Sequence, residues 1–180
     1  MSKHVLFIQG GGEEDYAADA KLVASLQKIL GEAYVVHYPR LPDESEPDFG
    51  RKQQISEEIS LIKGEIILAG HSLGASMLLK YLSEGQVRHE IAGVFLISTP
   101  FWQGDEDWKQ GLKLHKDFAS KLPKNVPFFL YHTKDDDVVP FENLALYAQY
   151  MPQATVRAID GGGHQVNNDL SVVAKDINSL

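Results

Sequence analysis

The sequence predicts an α/β chain: a three-layer αβα sandwich on about six mostly parallel strands. Three observations carry that expectation. Short apolar runs alternate with segments of helical period along the whole length. The runs are rich in aliphatic and β-branched residues and most are closed by Gly or Pro, as strands buried on both faces are. Strands joined through helices must run parallel, and right-handed crossovers then place helices on both faces of the sheet. With 180 residues, 43% of them hydrophobic and 23% charged, the chain suits one domain over residues 1–180 with one sizeable core.

Val5–Ile8 reads as the first strand, bounded by Gly10-Gly11-Gly12. Residues 15–30 place Ala18, Leu22, Leu26 and Ile29 on one helical face. Tyr34–Tyr38 is a second strand, cut off by Pro39, and residues 39–50, with Pro39, Pro42, Pro47 and several acids, form a loop. Gln53–Lys63 sets Ile55, Ile59 and Ile62 at helical spacing and Gly64 stops it. Glu65–Ala69 is a strand, and Leu73–Leu82 is a helix apolar nearly all round, hence buried. Val94–Ser98 is a strand, residues 105–121 read as a helix weakened by Gly111, and Phe128–His132 is a strand. Residues 141–150 form a helix, Thr155–Ile159 the last strand and 169–179 a closing helix, with no internal repeat or low-complexity stretch.

Composition excludes several functions. A net charge of −8 opposes nucleic acid and anionic membranes, because the phosphate attraction that drives such binding is reversed in sign. The absence of cysteine rules out disulfides, thiolate metal sites and a cysteine nucleophile, and fits a reducing compartment. Val5–Ile8 is too short for the apolar segment of a signal peptide and nothing approaches a membrane span, so a soluble, cytoplasmic protein is expected.

In a parallel sheet, ligands sit beyond the carboxyl ends of the strands. There stands "IILAGHSLGASML", where Gly70-His71-Ser72-Leu73-Gly74 has the form G-x-S-x-G between a strand and a helix. That is the context of a nucleophile elbow. The turn is so sharp that residues two positions either side of the serine must lack Cβ atoms. It lifts the Ser72 hydroxyl clear of the sheet and turns the Leu73 N–H toward the same space. A serine needs a base, and the base an orienting acid, in the chain order serine, acid, histidine. Of seven histidines, His89, His115, His132 and His164 follow Ser72. His164, in "AIDGGGHQV", alone follows the acidic loop, and the glycines before it let the loop return the imidazole over the elbow. The acid lies in "FFLYHTKDDDVVP", where Asp135, Asp136 and Asp137 all stand at the carboxyl edge of the sheet and residue chemistry alone does not choose among them. The other two are solvated loop charges or stiffen the turn. An oxyanion hole needs two preorganised N–H donors: Leu73 is one, and the loop "IQGGGEED" supplies the other, with Gly11 preferred to Gly10 or Gly12. These glycines fail the dinucleotide pattern at its last position, and the acids that follow would repel a pyrophosphate.

With these motifs the chain resembles the α/β-hydrolase superfamily, most of all its small single-domain serine hydrolases of the type related to retinoblastoma-binding protein. The resemblance runs from Phe7-Ile8-Gln9-Gly10 through Gly70–Gly74 and Asp136–Pro140 to His164. It implies an α/β-hydrolase fold without a large cap domain. In such proteins the acid is followed by one variable residue and a Val-Val-Pro-like triplet, which singles out Asp136 here. Two departures stand out: Gln9 where many relatives carry His, and Gln165 where an aromatic residue is common. Residues 99–123 are long enough for a short helical lid, and Phe101, Trp102 and Trp108, with Phe49 from the proline-rich loop, are candidates to wall an acyl pocket in a shallow, open site.

The expected activity is hydrolysis of carboxylic esters or thioesters of a small-molecule acyl substrate through an acyl-enzyme, with Ser72 as nucleophile, His164 as base, Asp136 as orienting acid and no metal or organic cofactor. An amidase or peptidase on the same triad, and a protein-binding module on a hydrolase scaffold, are the alternatives.

Overall fold

A computed structural model describes residues 2–180. Six strands form one sheet: β1 (Lys3–Ile8), β2 (Tyr34–His37), β3 (Ile66–His71), β4 (Ile91–Ile97), β5 (Phe128–Thr133) and β6 (Thr155–Ile159). Every neighbouring pair is parallel and the order is β2-β1-β3-β4-β5-β6. Six α-helices accompany them: α1 (Asp15–Leu30), α2 (Arg51–Leu61), α3 (Leu73–Glu84), α4 (Phe118–Lys121), α5 (Glu142–Tyr150) and α6 (Ser171–Ile177).

The strand period of two sorts the core into two layers. Leu6, Ile8, Leu68, Leu96 and Leu130 face α2, α3, α4 and α5. Val5, Phe7, Ile67, Phe95 and Tyr131 face α1 and α6. The carboxyl ends fall in register, Ile8 opposite Gly70, His71 opposite Ile97 and Thr133 opposite Ile159, so the loops after β1, β3, β5 and β6 open on one edge.

Two expectations are corrected. Residues 105–121 are not one helix: they hold a 3-10 turn at Asp107–Lys109 and the single turn of α4. Leu112 and Phe118 are both fully buried, yet six residues apart on an α-helix they would lie roughly 120° apart around its axis. An irregular chain buries both, and it packs Gly111 so tightly on the Pro47 carbonyl that a Cβ would overlap it. His115 therefore lies on an exposed irregular stretch, not on an amphipathic helix. The second correction concerns α1, whose core stripe is Asp19, Leu22, Val23, Leu26 and Leu30, while Ile29 is 44% exposed.

Candidate active site

Ser72 joins β3 to α3 at φ 53° and ψ −125°, a conformation that costs a residue with a Cβ about 1–3 kcal/mol. The surroundings enforce it. The Ser72 N–H donates to the Ile97 carbonyl at 2.9 Å, and its own carbonyl accepts from Ala75 and Ser76 at 3.0 and 3.2 Å. A Cβ on Gly70 would come within 2.9 Å of the Ala75 backbone, and one on Gly74 would overlap the carbonyls of Ile8 and Gln9. The two glycines thus let α3 start immediately at the sheet and lie against the end of β1.

The glycine loop after β1 meets this turn. The Gly10 N–H donates to Asp19 and the Gly12 N–H to Asp43, both at 2.9 Å. Gly11 is the one glycine of the three whose N–H no carboxylate holds, and it packs on the Leu73 side chain. Leu73 is the first residue of α3, where backbone N–H groups have no intrahelical acceptor and the helix dipole favours negative charge.

Across the cleft, the loop after β6 carries His164. Asp135 accepts from the N–H groups of Gly162 and Gly163 at 3.2 and 2.9 Å, and the Thr133 hydroxyl donates to the Gly163 carbonyl at 2.7 Å. Val166, Asn167 and Asn168 all take positive φ, which ties the loop into a tight knot after the histidine. The His164 Nδ1–H donates to both Asp136 oxygens, at 2.9 and 3.1 Å. The Asp136 side chain is wholly buried and also accepts from Val138 and Val139 N–H, both at 2.9 Å. Burial alone would raise the Asp136 pKa; the His164 hydrogen bond and those two amides outweigh it and hold the carboxyl below its usual range. His132 Nε2 stands 3.2 Å from Asp136 but donates to the Val139 carbonyl at 3.0 Å, so it braces the acidic loop from beneath.

Ser72, Leu73, Gly11, His164, Trp102 and Phe49 line one open cleft of about 710 Å³. Asp15, Asp43 and Asp137 line it too, with no lysine or arginine. Of the residues singled out for the triad and the oxyanion hole, Ser72, His164, Leu73 and Gly11 line this cleft, and Asp136 lies on Nδ1 of His164. Trp102 is pinned by its indole N–H, which donates to Ser76 Oγ at 3.0 Å, and Trp108 packs edge-on against it, 56% exposed. Phe101 does not line this cleft; with Trp102, Phe118, Tyr147 and Tyr150 it lines a separate hollow of about 100 Å³.

A family model described as serine hydrolase matches residues 27–171. The chain belongs to this serine hydrolase family. YdeN of Bacillus subtilis (strain 168) is 27% identical over 107 residues, 57% of this chain and 54% of YdeN, so the aligned stretch spans about half the length of that relative. The crystal structure of the B. subtilis ydeN gene product superposes with a TM-score of 0.73 at 18% identity, covering 99% of this chain and 98% of that one. Arabidopsis thaliana SOBER1 gives 0.72 at 16% identity with 99% of both chains covered, and Est1E from Butyrivibrio proteoclasticus gives 0.73 at 15% with 99% and 86% covered. At these identities the likeness is one of fold: the chain has the α/β-hydrolase fold, with no cap among the described residues.

Three supporting residues of the site, Arg51, Asp19 and His71, escape a reading of the sequence. Arg51, fully buried, donates to the carbonyls of Leu41 and Gly10, to Gln54 and to Asp43. Gln9, which the resemblance marks as a departure, accepts from the Leu41 N–H at 2.9 Å, and with Arg51 it ties the proline-rich loop with Phe49 to the oxyanion side. Asp19 and His71 lie beneath the elbow, 2.9 Å apart and both buried. The signal for Asp19 was present: it occupies a core position on the stripe of α1, where an unpaired acid would be expensive.

Proposed function

We propose that this serine hydrolase cleaves carboxylic esters or thioesters through an acyl-enzyme, as one domain over the whole chain. The observation that carries the proposal is the Asp136–His164 hydrogen bond in the cleft that holds the strained Ser72. In this reading the Ser72 hydroxyl attacks the acyl carbonyl and passes its proton to His164 Nε2. The C–O or C–S bond to the leaving group then breaks, and that proton leaves with the alcohol or thiol. Water, deprotonated by His164, attacks the acyl-serine; the acid is released and Ser72 regains its proton. Asp136 keeps the Nδ1 proton on the side away from the serine and stabilises the imidazolium, without taking that proton. Leu73 and Gly11 N–H groups face the carbonyl oxygen as it gains charge. Phe49 and Trp102 flank the acyl group, and Trp108 supports Trp102 from outside.

Labelling by a fluorophosphonate, then turnover on panels of acyl esters, thioesters and amides, tests this reading. Ser72→Ala should abolish labelling and lower ester turnover by about four to six orders of magnitude while leaving thermal unfolding nearly unchanged. An Ala variant that kept most of the activity would remove Ser72 as nucleophile, and faster turnover of amides than of esters would move the protein to the amidase class.

A further inference from the structure

Asp19 and His71 have no part in the chemistry above, yet they connect all its pieces. His71 immediately precedes the nucleophile. Its Nε2 is 2.8 Å from the carbonyl oxygen of His164, and its Nδ1 is 2.9 Å from Asp19 Oδ1. The second oxygen of Asp19 accepts from the Gly10 N–H at 2.9 Å. One chain of polar contacts therefore runs from the oxyanion loop, through α1 and the elbow, to the loop of the base. A carbonyl only accepts, so Nε2 of His71 carries a hydrogen, and the Asp19 carboxylate beside Nδ1 favours a second hydrogen there and with it the imidazolium form. The Nδ1 contact lies off the N–H direction, which makes it an ion pair more than a hydrogen bond.

We propose that Asp19 and His71 are a positioning pair: the His71 imidazolium clamps the loop of His164 by its carbonyl and, by its charge, keeps the His164 ring neutral and ready to act as base. This rests on His164 being the base of the hydrolase. The two rings lie 4.7 Å apart between centroids, tilted by 45°. Like charges at that distance in a buried site disfavour each other strongly.

The surrounding charges agree. Burial alone would drive His71 to its neutral form, but Asp19, the His164 carbonyl and Asp15 outweigh it and its pKa is raised. For His164, burial and then the charge of His71 push the pKa down, against Asp136 and, more weakly, Asp19 pulling it up. The other ionisable groups around the pair of rings are Asp15 from α1, His132 under Asp136, and Asp137 on the cleft wall. The sign follows: removing the positive charge of His71 stabilises protonated His164, so the acid limb of the pH profile moves to higher pH.

Ring NMR of the wild-type protein is the first test, and it needs no substrate. His71 should titrate above the free-imidazole value of about 6.5, and a His71 that titrates at or below that value overturns the proposal. The second test is the pH dependence of kcat/KM for an ester in His71→Gln and Asp19→Asn. Gln keeps a donor for the His164 carbonyl and loses the charge; Asn deprives His71 of its counter-ion. Both should shift the acid limb, and the His164 ring titration with it, to higher pH. His71→Leu, which also loses the clamp, should in addition lower the plateau by roughly ten- to a hundredfold. A purely structural pair would lower kcat/KM at every pH and leave the limb in place, and that result also overturns the proposal. A wild-type protein that hydrolyses no ester but holds a protonated His71 would remove the hydrolytic reading and leave the ion pair standing.

Discussion

Asp135, Asp136 and Asp137 are three identical side chains in a row with three different surroundings. Asp135 is spent on the amides of Gly162 and Gly163, so it stiffens the loop of His164. Asp136 is buried, with two amides and one imidazole on its oxygens. Asp137 is exposed on the cleft wall. The turn at Thr133–Asp136 rotates successive side chains to different sides, so adjacency in sequence says nothing about equivalence. Single Asn substitutions separate them. Asp136→Asn should lower kcat by roughly 10²–10⁴, because an amide cannot stabilise the imidazolium and can favour the wrong tautomer. Asp135→Asn keeps one acceptor for the glycine amides and should cost less than about tenfold, and Asp137→Asn less still. Steady-state kcat of the three variants decides, and a greater loss at Asp135 or Asp137 would reassign the acid.

Elements were legible where one local rule dominates. The strand period and the G-x-S-x-G turn are each written within a few residues, and the six strands and the turn between β3 and α3 follow. Residue chemistry narrowed the acid only to three aspartates; the choice of Asp136 needed a resemblance. What stayed hidden depends on contacts between distant segments. The break in residues 105–121 is imposed by Pro47, more than sixty positions earlier in the chain, and by Leu112 and Phe118 seeking the same core. Arg51 looks like an ordinary basic residue at a helix start, yet it organises the loop over residues 39–50. Its guanidinium fork satisfies two carbonyls, Gln54 and Asp43 at once. Arg51→Met should leave those acceptors and the Asp43 charge without a donor, costing on the order of 2–4 kcal/mol and lowering the melting temperature by roughly 5–15 °C. Arg51→Lys should recover only part of this, since an ammonium cannot fork. Thermal unfolding of both variants measures it, and an Arg51→Met protein that melts with the wild type would mean the loop is held by Gln9 and packing alone.

At the scale of the molecule, the net charge of −8 is not spread evenly in its consequences. The cleft walls carry Asp15, Asp43 and Asp137 without a lysine or arginine beside them. Asp43 shares its charge with Arg51 at 2.8 Å, whereas Asp15 and Asp137 have no ion-pair partner among the described residues. Asp15 is the more telling of the two. Its carboxyl lies against Gly10, and the place a Gly10 Cβ would occupy is 2.8 Å from Asp15 Oδ2 and 3.5 Å from Ser72 Cβ. Burial and the neighbouring Asp19 raise its pKa, a sign that further negative charge is unwelcome there. An acyl chain ending in a carboxylate should therefore be a poor substrate beside a neutral chain of the same length. The gap in kcat/KM should be on the order of tenfold at low ionic strength. It should narrow as salt rises and the screening length falls from about 30 Å at 0.01 M to about 3 Å at 1 M. Asp15→Asn should narrow it at low salt as well. Matched hemisuccinate and butyrate esters of one alcohol, compared across a salt series, read out the effect. Equal turnover of the two at low salt would mean that the acyl group does not pass the Asp15 wall and that the chain leaves the cleft by another side.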